Sequence, residues 1–398
     1  MQPFAGLRVL DMTHVLAGPF ATYQLAVLGA EVIKIEHPVE SDQAREVGRD
    51  AVLKSRRMGS SFQTQASNKK ALAIDIKTKA GQEVMRRLAE TADVLVENYR
   101  PGSLEALGLG CEQLSAINPR LIYCSMSAFG YDGPKGAHTA YDYVIQAGSG
   151  IMAMTGTPQA NPIKIGTPAV DYATGTTGAF ALASALFQRE RTGKGQRIDM
   201  SMYDVAMILM GSYVTEFFHT GHQPGPKGNR NEFATNSCYD TADGLLMLGA
   251  SNARQARRLW RVLERPDLIK SINRERAEAF DEESRVLGEI LATRAAADWE
   301  GYFQERHVPA ARVRGLGDAL AEPQLAHRSV IHKPDNASDV DEPALTVPVA
   351  AFQFAHDGPR VTSPPPEVGQ DTRSILLSLG YADAEIEAMG SAGDILAA

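Results

Sequence analysis

The chain has 398 residues and a formal net charge of −8, with 44% hydrophobic and 22% charged residues, the balance of a soluble globular protein of about two domains. The acidic total gives no electrostatic footprint for nucleic acid, no run of about 18 apolar residues is present to span a membrane, and the N-terminus lacks the basic-then-apolar pattern of a secretory signal. Cys111, Cys124 and Cys238 are widely spaced, without a CxxC pair or a histidine at zinc spacing, which predicts a reducing, cytoplasmic setting and no structural metal.

In chain order, "LRVLDMT" (7–13) predicts a buried strand, "GPFATYQLAVLGA" a helix closing at glycine, and "EVIKIE" (31–36) a second strand. The theme repeats with "KALAIDI" (70–76) as strand, "TKAGQEVMRRLAETA" as amphipathic helix and "DVLVENY" (93–99) as strand. "LEALGLGCEQLSAIN" carries short helices and "PRLIYCSMS" (119–127) a further strand. Alternating strands and helices imply right-handed βαβ units, hence a mostly parallel sheet with both faces covered, a Rossmann-like α/β architecture. Ligands of such sheets sit beyond the carboxyl ends of the strands. There the chain places Thr13 and His14, Glu36 and His37, Asp75 to Lys77, and Asn98 to Arg100.

"GSGIMA" (148–153) has the spacing G-x-G-x-x-A but follows a helical run rather than a first strand, which argues against nicotinamide or flavin binding. "GTPAVDYATGTTG" (166–178) sets Asp171 where an apolar segment meets a helix rich in small residues. Two readings stand: a helix N-cap, or a carboxylate nucleophile kept ionised by the helix dipole. "GHQPGPKGNRNEFATN" (221–236) reads as a linker or a loop over the active site. "SCYDTADGLLMLGAS" reads as a hairpin turning at Asp243-Gly244. Helical segments follow at "NARQARRLWRVLE" and over about 273–306, and "PALTVPVAAFQF" (343–354) returns to strand before a proline loop and a helix. The expected plan is a large domain over 1–220, a smaller α+β domain over 225–330, and a segment over 331–398 returning to the large domain.

Five ordered blocks, "GLRVLDMTHVLAGPFATYQLAVLGAEVIKIEHP", "NKKALAIDIKTKAGQEVMRRLAETADVLVENYRPG", "INPRLIYCSMSAFG", "VDYATG" with "RERTGKGQRIDMSMYD", and "LGYADAEIEAM", together resemble the class III coenzyme A transferases, the CaiB/BaiF family. The resemblance implies a two-domain protomer interlocked with a second copy as a homodimer, acyl-CoA and a small carboxylic acid as substrates, and no metal, nicotinamide or flavin. It implies Asp171 of "VDYATG" as the nucleophile. It implies Leu16, Ala17, His37, Ile74, Lys77, Asn98, Tyr99 and Arg100 as contacts to coenzyme A, and Tyr141 as a wall of the pantetheine and acyl site, with Asp142 beside it. From residue type alone, Ile74 reads as core and Lys77 as a solvated helix start. Backbone N–H groups around Ala173, Thr174 and Gly175 are candidate donors to the anionic tetrahedral states. Arg45, Arg49, Arg56 and Arg57 are candidates to meet a second carboxylate of the acid. Related α-methylacyl-CoA racemases need a histidine base in a "GHD" block; here Tyr141 precedes Asp142, and tyrosine is a poor base at neutral pH. A coenzyme A-binding protein without turnover is the alternative from outside enzymology.

Overall fold

The computed structural model describes residues 1–332 and 345–397. The main elements are β1 (Arg8–Met12), α1 (Ala17–Ala26), β2 (Glu31–Glu36), β3 (Lys69–Ile74), α2 (Lys79–Thr91), β4 (Val94–Glu97), β5 (Ile122–Ser127), α3 (Asp142–Ser149), α4 (Ala169–Thr192), β6 (Arg197–Ser201), α5 (Met202–Leu209) and α6 (Gly211–Thr220). They continue with β7 (Cys238–Asp240), β8 (Leu245–Leu248), α7 (Ala253–Val262), α8 (Phe280–Leu291), α9 (Ala296–Glu305), β9 (Ala310–Arg312), β10 (Ile331–His332), β11 (Val347–Pro348), α10 (Thr372–Ser378), α11 (Asp383–Ala392) and β12 (Ile395–Leu396). They form two compact units, one of residues 1–151, 165–222 and 324–398, the other of 152–164 and 223–323.

The larger unit is built on a seven-stranded sheet ordered β12-β3-β2-β1-β4-β5-β6. Every pairing is parallel except that of β12 with β3. Alternate residues of each strand enter opposite cores, as the two-residue period requires. Leu10, Ile33, Ile35, Leu72 and Leu95 pack on one face beneath α2, α10 and α11. Val9, Val32, Val94, Val96 and Ile122 pack on the other with Leu25 of α1 and Leu182 of α4. Both faces being covered explains the near-continuous apolar strands. The edge of β3 is closed by β12 and by two side chains from far along the chain: the Ala71 N–H donates to Asp371 and the Ala73 N–H to Thr372.

The α1 face also buries an ionic network. Lys69 Nζ donates to Asp11 at 2.8 Å, Lys34 Nζ to Asp42 at 2.9 Å, and Arg45 clasps Glu36 through two bonds of 2.9 and 2.7 Å. These side chains are fully buried, where an unpartnered charge is prohibitively costly. The candidate role of Arg45 toward a second carboxylate is therefore corrected: its guanidinium is engaged by Glu36. Arg57 donates to Val39 O and Ser41 Oγ.

The network reaches the loop after β1. Asp42 accepts the Val15 N–H at 3.0 Å, and Val15 sits at φ 76°, a left-handed backbone that a β-branched residue adopts only under constraint. The same loop is tied to the end of β4, because Asn98 accepts the His14 N–H and donates to the His14 carbonyl, each at 2.9 Å. Behind it α1 and α4 pack closely. A methyl at Gly175 would lie 2.7 Å from the Ala17 carbonyl oxygen and 2.9 Å from the Phe20 ring, so this contact requires glycine.

The smaller unit pairs β7-β8-β9 as an antiparallel sheet, with the β7–β8 hairpin turning around Asp243 and Gly244. Leu246, Leu248, Trp260, Leu287, Trp299 and Phe303 form its core. The helical stretch over 273–306 is broken into the short Asn273–Glu278 helix, α8 and α9. The strand anticipated over 343–354 reduces to β11 within the described residues, and its first two positions lie outside them.

Candidate active site

In an open parallel sheet the ligand crevice opens where successive connections leave toward opposite edges. Here β1 runs on to β2 and β3 on one side while β4 runs on to β5 and β6 on the other. Beyond the carboxyl ends of β1 and β4 lies a cavity of about 560 Å³. Its wall includes the loop from His14 to Gly18, Asn98 to Pro101, Met126 to Ala128, Ala137 to Tyr141, and Asp171 and Thr174 of α4.

Asp171 is the third residue of α4, whose N-cap position is Pro168. The N-cap reading of Asp171 is thus corrected, and another carboxylate does that work. Asp142 Oδ2 accepts the N–H groups of Val170 at 2.7 Å and of Asp171 at 3.0 Å. Asp142 opens α3, and its other oxygen accepts from Gln146 Nε2, one turn on, at 2.5 Å. Gln146 in turn accepts the Ile165 N–H at 2.9 Å, holding the approach to α4.

The Asp171 side chain accepts no hydrogen bond among the described residues, yet the residue is only 9% exposed. Burial, and then the negative charge of Asp142, push its carboxyl up to about 7. The helix dipole favours the anion, but the Val170 and Asp171 amides in its first turn already donate to Asp142. Burial and the neighbouring charge thus favour the protonated form of the Asp171 carboxyl more than for an exposed aspartate.

The remaining first-turn amides are also engaged. The Ala169 N–H donates to Thr167 O and the Tyr172 N–H to Pro168 O. Ala173, Thr174 and Gly175 lie beyond the first turn, where each amide belongs to the carbonyl four residues back. The expectation that their backbone N–H groups face an anion is corrected on this ground.

Of the residues anticipated for coenzyme A, Leu16, Ala17, Asn98, Tyr99, Arg100 and Tyr141 line the cavity with Asp171. Arg100 is exposed and Tyr141 is 61% exposed, whereas the Asn98 carboxamide is held by His14. His37 and Lys77 lie outside the wall, on the carboxyl edge at β2 and β3. His37 Nδ1 accepts the Val39 and Glu40 N–H groups while Nε2 lies 3.7 Å from Asp75, and Lys77 is exposed. Ile74 is 1% exposed among core residues, so its side chain faces the interior. The arrangement also brings in two histidines that the motif reading did not select. His14 packs edge-on against Tyr99, and burial lowers its pKa; His138 stands edge-on to Phe129. His14 stands at a strand end that the sequence marks, but its contact with Tyr99 and the capping role of Asp142 carry no local signal, since those partners are remote in the chain.

A buried carboxylate at a helix start, facing a cavity at the switch point of a parallel sheet, defines an α/β enzyme of the group-transfer kind. The chain matches the CoA-transferase family III model over residues 4–372 and belongs to that family. It is 33% identical to succinyl-CoA:glutarate CoA-transferase of Mus musculus, covering 99% of this chain and 91% of that protein. It is 34% identical to acetyl-CoA:oxalate CoA-transferase of Acetobacter aceti, covering 90% of this chain and 92% of that one. Among solved structures, a CaiB/BaiF family protein from Brucella suis superposes with a TM-score of 0.81 at 30% identity, covering 95% of this chain and 99% of that chain.

Proposed function

We propose that this family III enzyme transfers coenzyme A from an acyl-CoA thioester to a free carboxylic acid, with Asp171 as the covalent nucleophile. The observation that carries the reading is the Asp171 carboxylate, unpartnered and facing a cavity of about 560 Å³. A carboxylate oxygen of Asp171 bonds to the thioester carbonyl carbon, the C–S bond breaks, and coenzyme A leaves as thiolate from an acyl–aspartyl anhydride. The thiolate then attacks the aspartyl carbonyl, releasing the first acid and leaving an aspartyl–CoA thioester. The acceptor carboxylate attacks this thioester, and the returning thiolate takes the acceptor acyl group from the new anhydride. Each intermediate retains an activated acyl bond, so the site must keep water out.

The carboxyl edge supplies cations for the nucleotide phosphates at Arg100 and Lys77 and a ring N–H donor at His37, while Leu16, Ala17, Tyr99 and Tyr141 offer the surface for the pantetheine arm. The acceptor is a dicarboxylic acid, supported by the names of the relatives, which pair CoA donors with glutarate, oxalate and, in a Chloroflexus aurantiacus protein 33% identical to this chain, D-citramalate. The enzyme works as a homodimer. Phe180 and Phe187 of α4, Ile208 of α5 and Phe218 of α6 are exposed apolar side chains suited to a second copy, and light scattering at the mass of one chain would overturn this.

The central test is exchange of coenzyme A between succinyl-CoA and a panel of acids. Asp171→Ala should abolish exchange while coenzyme A still binds, and mass spectrometry after hydroxylamine should locate the adduct at Asp171. Unchanged exchange in that variant would refute the nucleophile. A non-catalytic binding protein would show no exchange at all. Because His14 and His138 share the cavity with Asp171, α-proton exchange is the second reading; deuterium incorporation at the α-carbon without acid exchange would select it.

A further inference from the structure

Helical threonine and serine hydroxyls usually donate back to the carbonyl four residues earlier. In α4 the Thr176, Thr177 and Ser184 hydroxyls do so at 2.9, 2.8 and 2.8 Å. Thr174 departs from them. Its side chain is fully buried and its Oγ1 has no hydrogen-bond partner, although the residue forms part of the cavity wall. A buried hydroxyl without a partner costs stability, and one on a cavity wall recovers that cost when a ligand oxygen accepts from it. Three residues after Asp171, Thr174 lies on the same side of the helix. The first turn of α4 offers no backbone substitute, because its amides are engaged by Asp142, Thr167 and Pro168.

We propose that the Thr174 hydroxyl is a catalytic hydrogen-bond donor to the oxygen that becomes anionic when Asp171 adds to the acyl carbon. As the Asp171 oxygen bonds to the thioester carbonyl carbon, the π pair of that carbonyl moves onto its oxygen. Thr174 donates to this oxygen while the negative charge resides there, and no proton is transferred. Expulsion of the thiolate restores the carbonyl. A donor shielded from water stabilises such a charge more strongly than a solvated one.

The inference rests on Asp171 being the nucleophile, and the test separates the two. Steady-state exchange with succinyl-CoA and glutarate is measured for Thr174→Val, which keeps the shape and removes the hydroxyl, Thr174→Ser, which keeps the hydroxyl, and Asp171→Ala. Thr174→Val should lower kcat by about tenfold or more, with KM for succinyl-CoA within about threefold, and should unfold at the same or a higher temperature. Thr174→Ser should retain at least about a third of kcat. Wild-type kcat in Thr174→Val, or equal losses in the Val and Ser variants, would overturn the hydroxyl's role while an inactive Asp171→Ala left the nucleophile intact. Should Thr174→Val not fold, Thr174→Ala replaces it beside Thr174→Ser under the same criteria. An active Asp171→Ala would remove both.

Discussion

The Asp142 carboxylate accepts the backbone N–H of Asp171 at 3.0 Å while its charge opposes ionisation of the Asp171 side chain. One acid thus holds the backbone of the other in place and adds to the effect of burial in raising its pKa.

The first consequence is a pH profile. Asp171 must be ionised to attack, and its carboxyl is pushed up to about 7, so kcat/KM for the thioester should climb through neutrality with a midpoint near 7. In Asp142→Asn the side-chain oxygen can still accept the two helix amides while the negative charge is gone, which should move the midpoint to lower pH. A rate profile unchanged by that substitution would show that Asp142 does not govern the ionisation.

Stability should carry the same signature. A carboxyl whose folded pKa lies above its unfolded value binds its proton more tightly in the native state, so its contribution is greatest at low pH and is lost as pH rises from about 4 to about 7. Asp171→Asn should therefore unfold at a higher temperature than wild type at pH 8, with the gap narrowing toward pH 5. A gap independent of pH would contradict the raised pKa.

Glycine to alanine inside an exposed helix normally stabilises by about 1 kcal/mol. At Gly175 the sign should reverse, because the added methyl meets the Ala17 carbonyl oxygen at 2.7 Å, and overpacking costs about 1–3 kcal/mol. Chemical denaturation of Gly175→Ala would decide it, with unaltered stability showing that α1 can give way. Since Ala17 belongs to the cavity wall, KM for acyl-CoA should rise as well.

Val15 offers the converse. A β-branched side chain at φ 76° is strained by about 1–3 kcal/mol, whereas glycine accepts that backbone at an unfolded-state cost of about 0.5–1 kcal/mol. Val15→Gly should leave stability unchanged or raise it, as read by urea unfolding; a loss above about 1 kcal/mol would mean that the valine's packing outweighs its strain.

The sequence makes the large sheet legible because short β-branched, largely apolar runs such as 31–36 are set between helical patterns and bounded by turn residues. It conceals β6, an edge strand whose exposed Arg197 and Asp199 deny it an apolar run, and β12, a two-residue strand. It places Asp171 through the motif but leaves its local duty open, since the cap comes from Asp142, 29 residues earlier. It leaves Arg45 among the candidates to meet a second carboxylate, because the burial that engages it with Glu36 is tertiary; residue type reads Ile74 as core, and its side chain is enclosed. Nothing in "VDYATG" distinguishes a threonine that bonds its own helix from one that does not; only the packed structure separates Thr174 from Thr176.

The edge of β3 has a consequence for biosynthesis. Ala71 waits for Asp371, which the ribosome adds 300 residues later, and Ile74 waits for Ile395 of β12. Throughout that interval the nascent sheet presents an open strand of the sort that recruits foreign strands. The smaller unit must be made meanwhile, so heat-shocked or chaperone-depleted cells should lose this enzyme through aggregation of unfinished chains before its mature form fails.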